Sequence, residues 1–282
     1  MGFTIRQPTA RREREVFRGK VGKRELLERD RDYPYSSATL MGFYDRPYAR
    51  GNYGQSTVGA MRMWSVTTWL IVINVAVFLL NSLSRTDAYP FGMLSELGYF
   101  SGTTAITHLE LWRFITFQFL HANFMHILFN MIALYYFGPM IEGWLGPRRY
   151  LAFYLLCGVA GAVMYLVLLA SHILVSGPGA PMVGASAGIF GVLIAAARIA
   201  PNATIMLIFP PIPMKLKVFA LVLLGIAIWA VIFQGDNAGG EAAHLGGAAL
   251  GALLTQFPHV LDVFDRWPPR RKRRRFFMDD RR

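Results

Sequence analysis

Residues 184–191 read GASAGIFG, a run in which the hydroxyl group of Ser186 is surrounded by glycine, alanine and large apolar side chains. The nearest charged residues along the chain are Arg149 on one side and Arg198 on the other. A polar side chain in so apolar a stretch is typical either of close helix packing or of a functional site. The residues around the run decide between the two.

The apolar composition extends along most of the chain. Of its 282 residues, 54% are hydrophobic and 16% are charged, whereas soluble domains are about 45–50% apolar and about 25% charged. Residues 1–62 contain 13 of the 29 Lys and Arg, residues 258–282 contain 9, and the stretch between them contains 7. We therefore expect a basic, largely disordered cytoplasmic extension (1–62), a membrane domain (63–258) and a basic cytoplasmic tail (259–282).

The net charge of +12 does not require a nucleic-acid partner. The polybasic run at residues 270–275 follows an apolar segment, as the positive-inside rule predicts, and such clusters attract anionic lipid. We expect a lipid bilayer as partner and no nucleic acid. The single cysteine, Cys157, provides neither a disulfide nor a cysteine metal cluster, and we expect no cofactor or metal.

Six segments are apolar enough, and about long enough, to cross the hydrocarbon core of a bilayer. The sequence therefore predicts an all-α, six-transmembrane-helix bundle. Its spans are placed at about residues 65–83, 117–141, 150–175, 182–200, 216–233 and 242–257.

The charges of the connecting loops predict the orientation of these spans. With a cytoplasmic N-terminus, the basic links between spans fall inside, the outer links contain five acidic residues against two basic ones, and both termini are cytoplasmic. Ser186, His244 and His126 then gather on the outer half of the bundle. The first 60 residues have no signal-peptide core and are not acid-poor, so we expect a bacterial plasma membrane.

A histidine in the last span could activate the serine. In AHLGGAALG (243–251), His244, Gly247 and Gly251 share one helix face. Gly184 and Gly188 flank Ser186, and glycine against glycine would allow the two helices to touch. A serine hydroxyl needs such a base in order to attack a carbonyl carbon. The alternative is a serine that only packs between helices.

The expected arrangement is a Ser–His dyad without an acidic third member. Asp236 and Glu241 are placed in the loop before the sixth span, away from the serine. Phe190, one helical turn after Ser186, is expected to stack on the imidazole of His244. In the second span, His126 and Asn130 are spaced i, i+4 and could donate hydrogen bonds to an oxyanion. Interhelical hydrogen bonding for stability is the alternative role of that pair.

Four motifs together resemble those of the rhomboid intramembrane serine proteases. They are ELWRFIT (110–116), HANFMHILFN (121–130), GASAGIFG (184–191) and AHLGGAALG (243–251), in the family's order. The resemblance implies Ser186 as nucleophile, His244 as base, and His126 and Asn130 as oxyanion stabilisers.

Further roles follow from the resemblance alone. It implies Trp112 and Arg113 as anchors of a partly membrane-embedded outer loop, Glu142 as a structural carboxylate, and single-pass membrane proteins as substrates. One departure is Ala187, which follows the serine where the family often has glycine.

Other functional classes fit the sequence less well. The nucleophile elbow of soluble hydrolases needs alternating strands and helices, which the hydropathy does not indicate. A membrane metalloprotease needs His-Glu-x-x-His, and an aspartyl intramembrane protease needs two carboxylates within spans; neither pattern occurs. A transporter would show buried charges along a path or paired repeats. A non-catalytic rhomboid-like scaffold that binds transmembrane helices remains the main alternative.

Overall fold

The computed structural model describes residues 64–207 and 211–265, which are mostly helical. The helices are α1 (Val66–Leu83), α2 (Met93–Gly98), α3 (Arg113–Thr116), α4 (Phe124–Leu145), α5 (Pro147–Ala170), α6 (Ser186–Ile199), α7 (Leu216–Ile232), α8 (Ala238–Gln256) and α9 (Asp262–Asp265). Two antiparallel strands, β1 (Thr204–Met206) and β2 (Pro213–Lys215), precede α7. The predicted extension, residues 1–62, and residues 266–282 of the predicted tail lie outside the described residues.

Three of these helices, α1, α4 and α5, are long and apolar enough to cross a membrane. Helices α6 and α7 are apolar but shorter, with 14 and 17 residues. Helix α8 has 19 residues, but its glycines, Glu241 and His244 make it less apolar. A helical membrane bundle is therefore supported, whereas the six spans and the cytoplasmic termini stay predictions.

Several helix ends differ from the prediction for local reasons. The second span was expected from residue 117, but α4 begins at Phe124 because the side chain of Asn123 caps it, accepting from the backbone N–H of His126 at 2.9 Å. Helix α8 begins at Ala238, four residues before the predicted start at 242. This earlier start places Glu241 in the first helical turn, so its expected place in the preceding loop was wrong.

Small residues bring α6 and α8 into backbone contact. A Cβ atom added to Gly251 would lie 2.5 Å from the Cα of Gly191, and one added to Gly247 would collide with the carbonyl oxygen of Ala187. The partners differ from those predicted, because Gly188 faces Tyr154 of α5 instead of α8. Close packing of α6 on α8 brings the N-terminal ends of both helices together.

Glu142 joins α4 to the N-terminus of α1. Its carboxylate accepts from the backbone N–H groups of Val66 at 2.7 Å and Thr67 at 2.9 Å, and from the Thr67 hydroxyl at 2.8 Å. The first N–H groups of a helix have no partner within the helix, and the positive end of the helix dipole favours an anion there. Glu142 therefore caps α1 from the end of α4.

Arg113 holds the loop that connects α1 to α4. Its buried guanidinium pairs with Glu110 and donates to the backbone carbonyls of Glu96 at 3.0 Å and Tyr99 at 2.8 Å. The adjacent Trp112 donates from its indole to the carbonyl of Leu97 at 3.2 Å, while its ring stays exposed. The two residues therefore fasten the loop by its backbone.

Candidate active site

Ser186 and His244 meet where α6 and α8 come together. Nε2 of His244 lies 2.7 Å from Oγ of Ser186, although the two residues are 58 positions apart in the sequence. Ser186 is the first residue of α6, so its backbone N–H has no partner within the helix. The hydroxyl, the imidazole and that N–H form the centre of the candidate site.

Phe190 fixes the plane of the imidazole. Its ring stacks on His244 with a centroid separation of 4.2 Å and an angle of 8° between the planes. Phe190 lies one helical turn after Ser186, so α6 supplies both the hydroxyl and the ring on which the histidine rests. The structure therefore places Phe190 as the sequence analysis expected.

Gly184 leaves room between His126 and the serine. Its φ of +136° is a conformation that strongly favours glycine. A Cβ atom added to Gly184 would lie 2.8 Å from Nε2 of His126 and 3.5 Å from Oγ of Ser186. The backbone N–H of Ala122 points at Nδ1 of His126 at 3.5 Å, which leaves the proton for Nε2. The Nε2–H group of His126 is thus a donor that faces the space beside Ser186.

Asn130 lies one turn further along α4 than His126 and faces the same cavity as Ser186. The residue is buried, and its Nδ2 has no hydrogen-bond partner among the described residues. A buried donor without a partner is unfavourable unless something at the site uses it. The amide is thus available to an acceptor that enters the cavity.

A carboxylate that the sequence analysis did not select completes the group. Oε2 of Glu241 lies 2.8 Å from Nδ1 of His244, on the opposite side of the ring from Ser186. The signal was present as the i, i+3 spacing of EAAH at residues 241–244, which places both side chains on one helix face. The spacing acts as a helical spacing only because α8 begins at Ala238, before Glu241.

His121 contacts the outer edge of the site. Its buried ring packs edge-on against His126, with a centroid separation of 5.1 Å and an angle of 70°. His121 precedes α4, in the connection from α3. Burial, together with the nearby imidazole of His126, lowers the pKa of His121 to about 3. His121 is therefore neutral at ordinary pH.

A cavity of about 1310 Å³ opens beside Ser186 and His244. His126 and Asn130 also line it, and the rest of its wall is mainly apolar. Much of this wall comes from α4 and α7, including Met125, Phe129, Ile132, Phe219 and Leu223. The cavity can accommodate an apolar chain segment with the hydroxyl, the imidazole and the free donors at one point of its wall.

The chain matches the family model for the rhomboid domain over residues 108–259, more than half of its length. This region contains all four groups around the cavity: Ser186, His244, His126 and Asn130.

Two of three named relatives align over a longer region than the family model does. "RHOMBOID-like protein 12, mitochondrial" of Arabidopsis thaliana is 31% identical over 76% of this chain and 59% of its own length. "Rhomboid protein 1, mitochondrial" of Saccharomyces cerevisiae is 28% identical over 78% and 63%. "Putative rhomboid protease YdcA" of Bacillus subtilis is 31% identical over 36% and 50%. Less than two thirds of each relative's own length is therefore covered.

Two of these three relatives are named mitochondrial, so the comparisons do not support the expected bacterial plasma membrane. The apolar helices and the family together indicate an integral membrane protein. Since the family model covers more than half of the chain and the relatives extend the match, the protein belongs to the rhomboid family.

Proposed function

We propose that the protein is an intramembrane serine endopeptidase. In this role Ser186 is the nucleophile and His244 is the general base and acid. The observation that carries the proposal is the 2.7 Å separation of Ser186 Oγ and His244 Nε2 beside a largely apolar cavity. Membership of the rhomboid family supports the same reaction class.

Acylation begins when the substrate's scissile carbonyl carbon comes within reach of Ser186. As Oγ forms a bond to that carbon, its proton passes to Nε2 of His244. The imidazolium then gives this proton to the leaving amide nitrogen as the carbon–nitrogen bond breaks. The first product leaves with a new amino terminus, and the other part of the substrate remains as an ester of Ser186.

The tetrahedral intermediates carry an oxyanion that needs donors already in place. Nδ2 of Asn130, Nε2–H of His126 and the backbone N–H of Ser186 are suited to this role. For deacylation, His244 takes a proton from water as the water attacks the ester. The same histidine then returns the proton to Oγ, releasing the second product with a new carboxylate.

The substrates of this proposal are single-pass membrane proteins cut in or near their spanning segment. The apolar walls from α4 and α7 suit a spanning segment better than a soluble peptide. A helical segment must unwind first, because its peptide bonds are shielded and its backbone is hydrogen-bonded internally. The proposal includes six spans and cytoplasmic termini, with Ser186 and His244 on the outer half of the bundle.

The test is cleavage of a single-pass reporter reconstituted with the purified protein in liposomes. Wild type should cut the reporter, and Ser186→Ala should abolish cutting while leaving its thermal unfolding unchanged. A reporter that co-purifies equally with both forms but is cut by neither would indicate the non-catalytic scaffold. Equal cutting by both forms would contradict the role of Ser186.

A further inference from the structure

Three side chains form a line across the site, from Ser186 through His244 to Glu241. Nε2 of His244 lies 2.7 Å from the serine oxygen, and Nδ1 lies 2.8 Å from the Glu241 carboxylate. Building on the proposed function, we infer that Glu241 is a positioning residue that orients the His244 ring and sets its tautomer. In this chain the catalytic group is therefore a Ser–His–Glu triad, in place of the dyad expected from the sequence.

The start of α8 places the carboxylate. The helix begins at Ala238, so Glu241 lies in its first turn, and its backbone N–H donates to the carbonyl of Asn237 at 3.0 Å. Residues three apart on a helix face the same side, which brings the carboxylate next to the ring of His244. The contact is therefore set by the backbone and needs no rearrangement of the neighbouring helices.

The contact is partly shielded from water. The side chains of Glu241 and His244 are 19% and 13% exposed. Pairs exposed at a surface contribute little because water screens them, whereas a partly buried hydrogen bond to a charged group is stronger. An acid whose only role is to interact with the positive end of the α8 dipole would need no side-chain partner. Glu241, in contrast, contacts the ring of His244.

The carboxylate and Phe190 restrict the imidazole in two different ways. Phe190 stacks on the ring face and limits its tilt. An ionised carboxylate can only accept a hydrogen bond, so the ring proton must lie on Nδ1. Nε2 is then left with a lone pair that points at the hydroxyl of Ser186. The opposite tautomer would place a hydrogen on Nε2, which could not accept the serine proton.

Glu241 also acts when the serine attacks. The proton moves from Oγ to Nε2, and the ring becomes an imidazolium whose positive charge lies beside the carboxylate. Glu241 keeps its charge throughout, and no proton passes to it. Its effect is therefore on the rate of the chemical step and not on substrate binding.

The first experiment compares Glu241→Gln with wild type in the reporter assay. We expect kcat to fall by up to about 10⁴-fold, the loss seen when the acid that orients a catalytic histidine is neutralised, with KM changed less than about twofold. Glu241→Asp keeps the charge on a shorter side chain and should retain more activity than the glutamine variant. The matched control is Asp87→Asn, which removes an exposed carboxylate after α1 that does not line the cavity and should leave kcat unchanged.

A second measurement needs neither substrate nor activity. Nitrogen NMR of the purified wild-type protein with labelled histidine reports which ring nitrogen of His244 carries the proton. We expect the proton on Nδ1 in wild type and a mixture of the two tautomers in Glu241→Gln. The signals of His244 are identified as those that disappear in His244→Gln.

The two measurements separate this inference from the proposed function. Wild-type protein that fails to cut any reporter counts against the protease, while the tautomer of His244 still tests Glu241. Active wild type with Glu241→Gln at the same kcat would overturn the positioning role. So would a wild-type His244 protonated at Nε2.

Discussion

Gly251 of α8 lies so close to Gly191 of α6 that a Cβ atom on Gly251 would come within 2.5 Å of the Gly191 Cα. One turn earlier, Gly247 lies even more tightly against the backbone of Ala187. These two contacts set the separation of the helices that carry Ser186 and His244. Close packing without side chains is typical of membrane helices, where small residues allow backbones to touch.

Substituting the glycine at this contact should loosen the fold and the site together. In Gly247→Ala the new methyl group would collide with the carbonyl of Ala187, so α8 must move. We expect a loss of about 1–3 kcal/mol in stability and reduced cleavage, measured by thermal unfolding in detergent and by the reporter assay. Gly225→Ala is the control, since nothing lies within 4 Å of that position in α7. A Gly247→Ala protein as stable as the control would contradict the packing described.

The free amide of Asn130 predicts a defect in turnover. Asn130→Ala removes a donor that has no partner within the described structure, so folding should lose little. If the amide binds the oxyanion, kcat should fall about 100-fold or more while KM changes little. The measurement is a full kinetic analysis alongside thermal unfolding. A loss of stability with unchanged kcat would instead favour interhelical hydrogen bonding.

The cap formed by Glu142 predicts a defect in stability alone. Glu142→Gln keeps the size of the side chain but removes one acceptor oxygen and the charge that three donors share. We expect the free energy of unfolding to fall by about 1–3 kcal/mol. The kcat of the protein that remains folded should be unchanged. Asp236→Asn, which removes an exposed carboxylate, is the control for stability. Equal thermal unfolding of the two variants would rule out the cap.

The buried ring of His121 predicts loss of stability in mild acid. Its pKa is about 3 in the fold and ordinarily 6.5, so the unfolded chain binds a proton first as the pH falls. The contribution of neutral His121 to the free energy of unfolding is therefore present above pH 6.5 and is lost as the pH falls below it. The loss is about 2 kcal/mol between pH 7 and pH 5. His121→Phe should show a smaller drop over that range in thermal unfolding. Identical pH profiles would show that His121 is not buried in its neutral form.

Much of the site was predictable because its signals are local. The i, i+4 spacing of His126 and Asn130 and the isolation of Ser186 among apolar residues are visible in the sequence. The stacking of Phe190 follows from its position one turn after the serine. These features depend on helix periodicity, which hydropathy and spacing predict well.

The features that the sequence did not predict depend on helix ends and on tertiary contacts. The start of α8 at Ala238 adds a turn whose residues are not especially apolar, so hydropathy did not reveal it. That turn contains Glu241 and so determines whether His244 has a carboxylate partner. Similarly, the pairing of Gly251 with Gly191 instead of Gly188 depends on the crossing of two helices, which spacing within one helix does not determine.

The most direct test of the central claim is labelling of the purified protein with a fluorophosphonate probe, which needs no substrate. A serine activated by His244 should attack the phosphorus, and mass spectrometry should locate the adduct on Ser186 in wild type. Labelling should disappear in Ser186→Ala and become much slower in His244→Ala. An unlabelled Ser186 in folded wild type, or equal labelling without His244, would contradict the account.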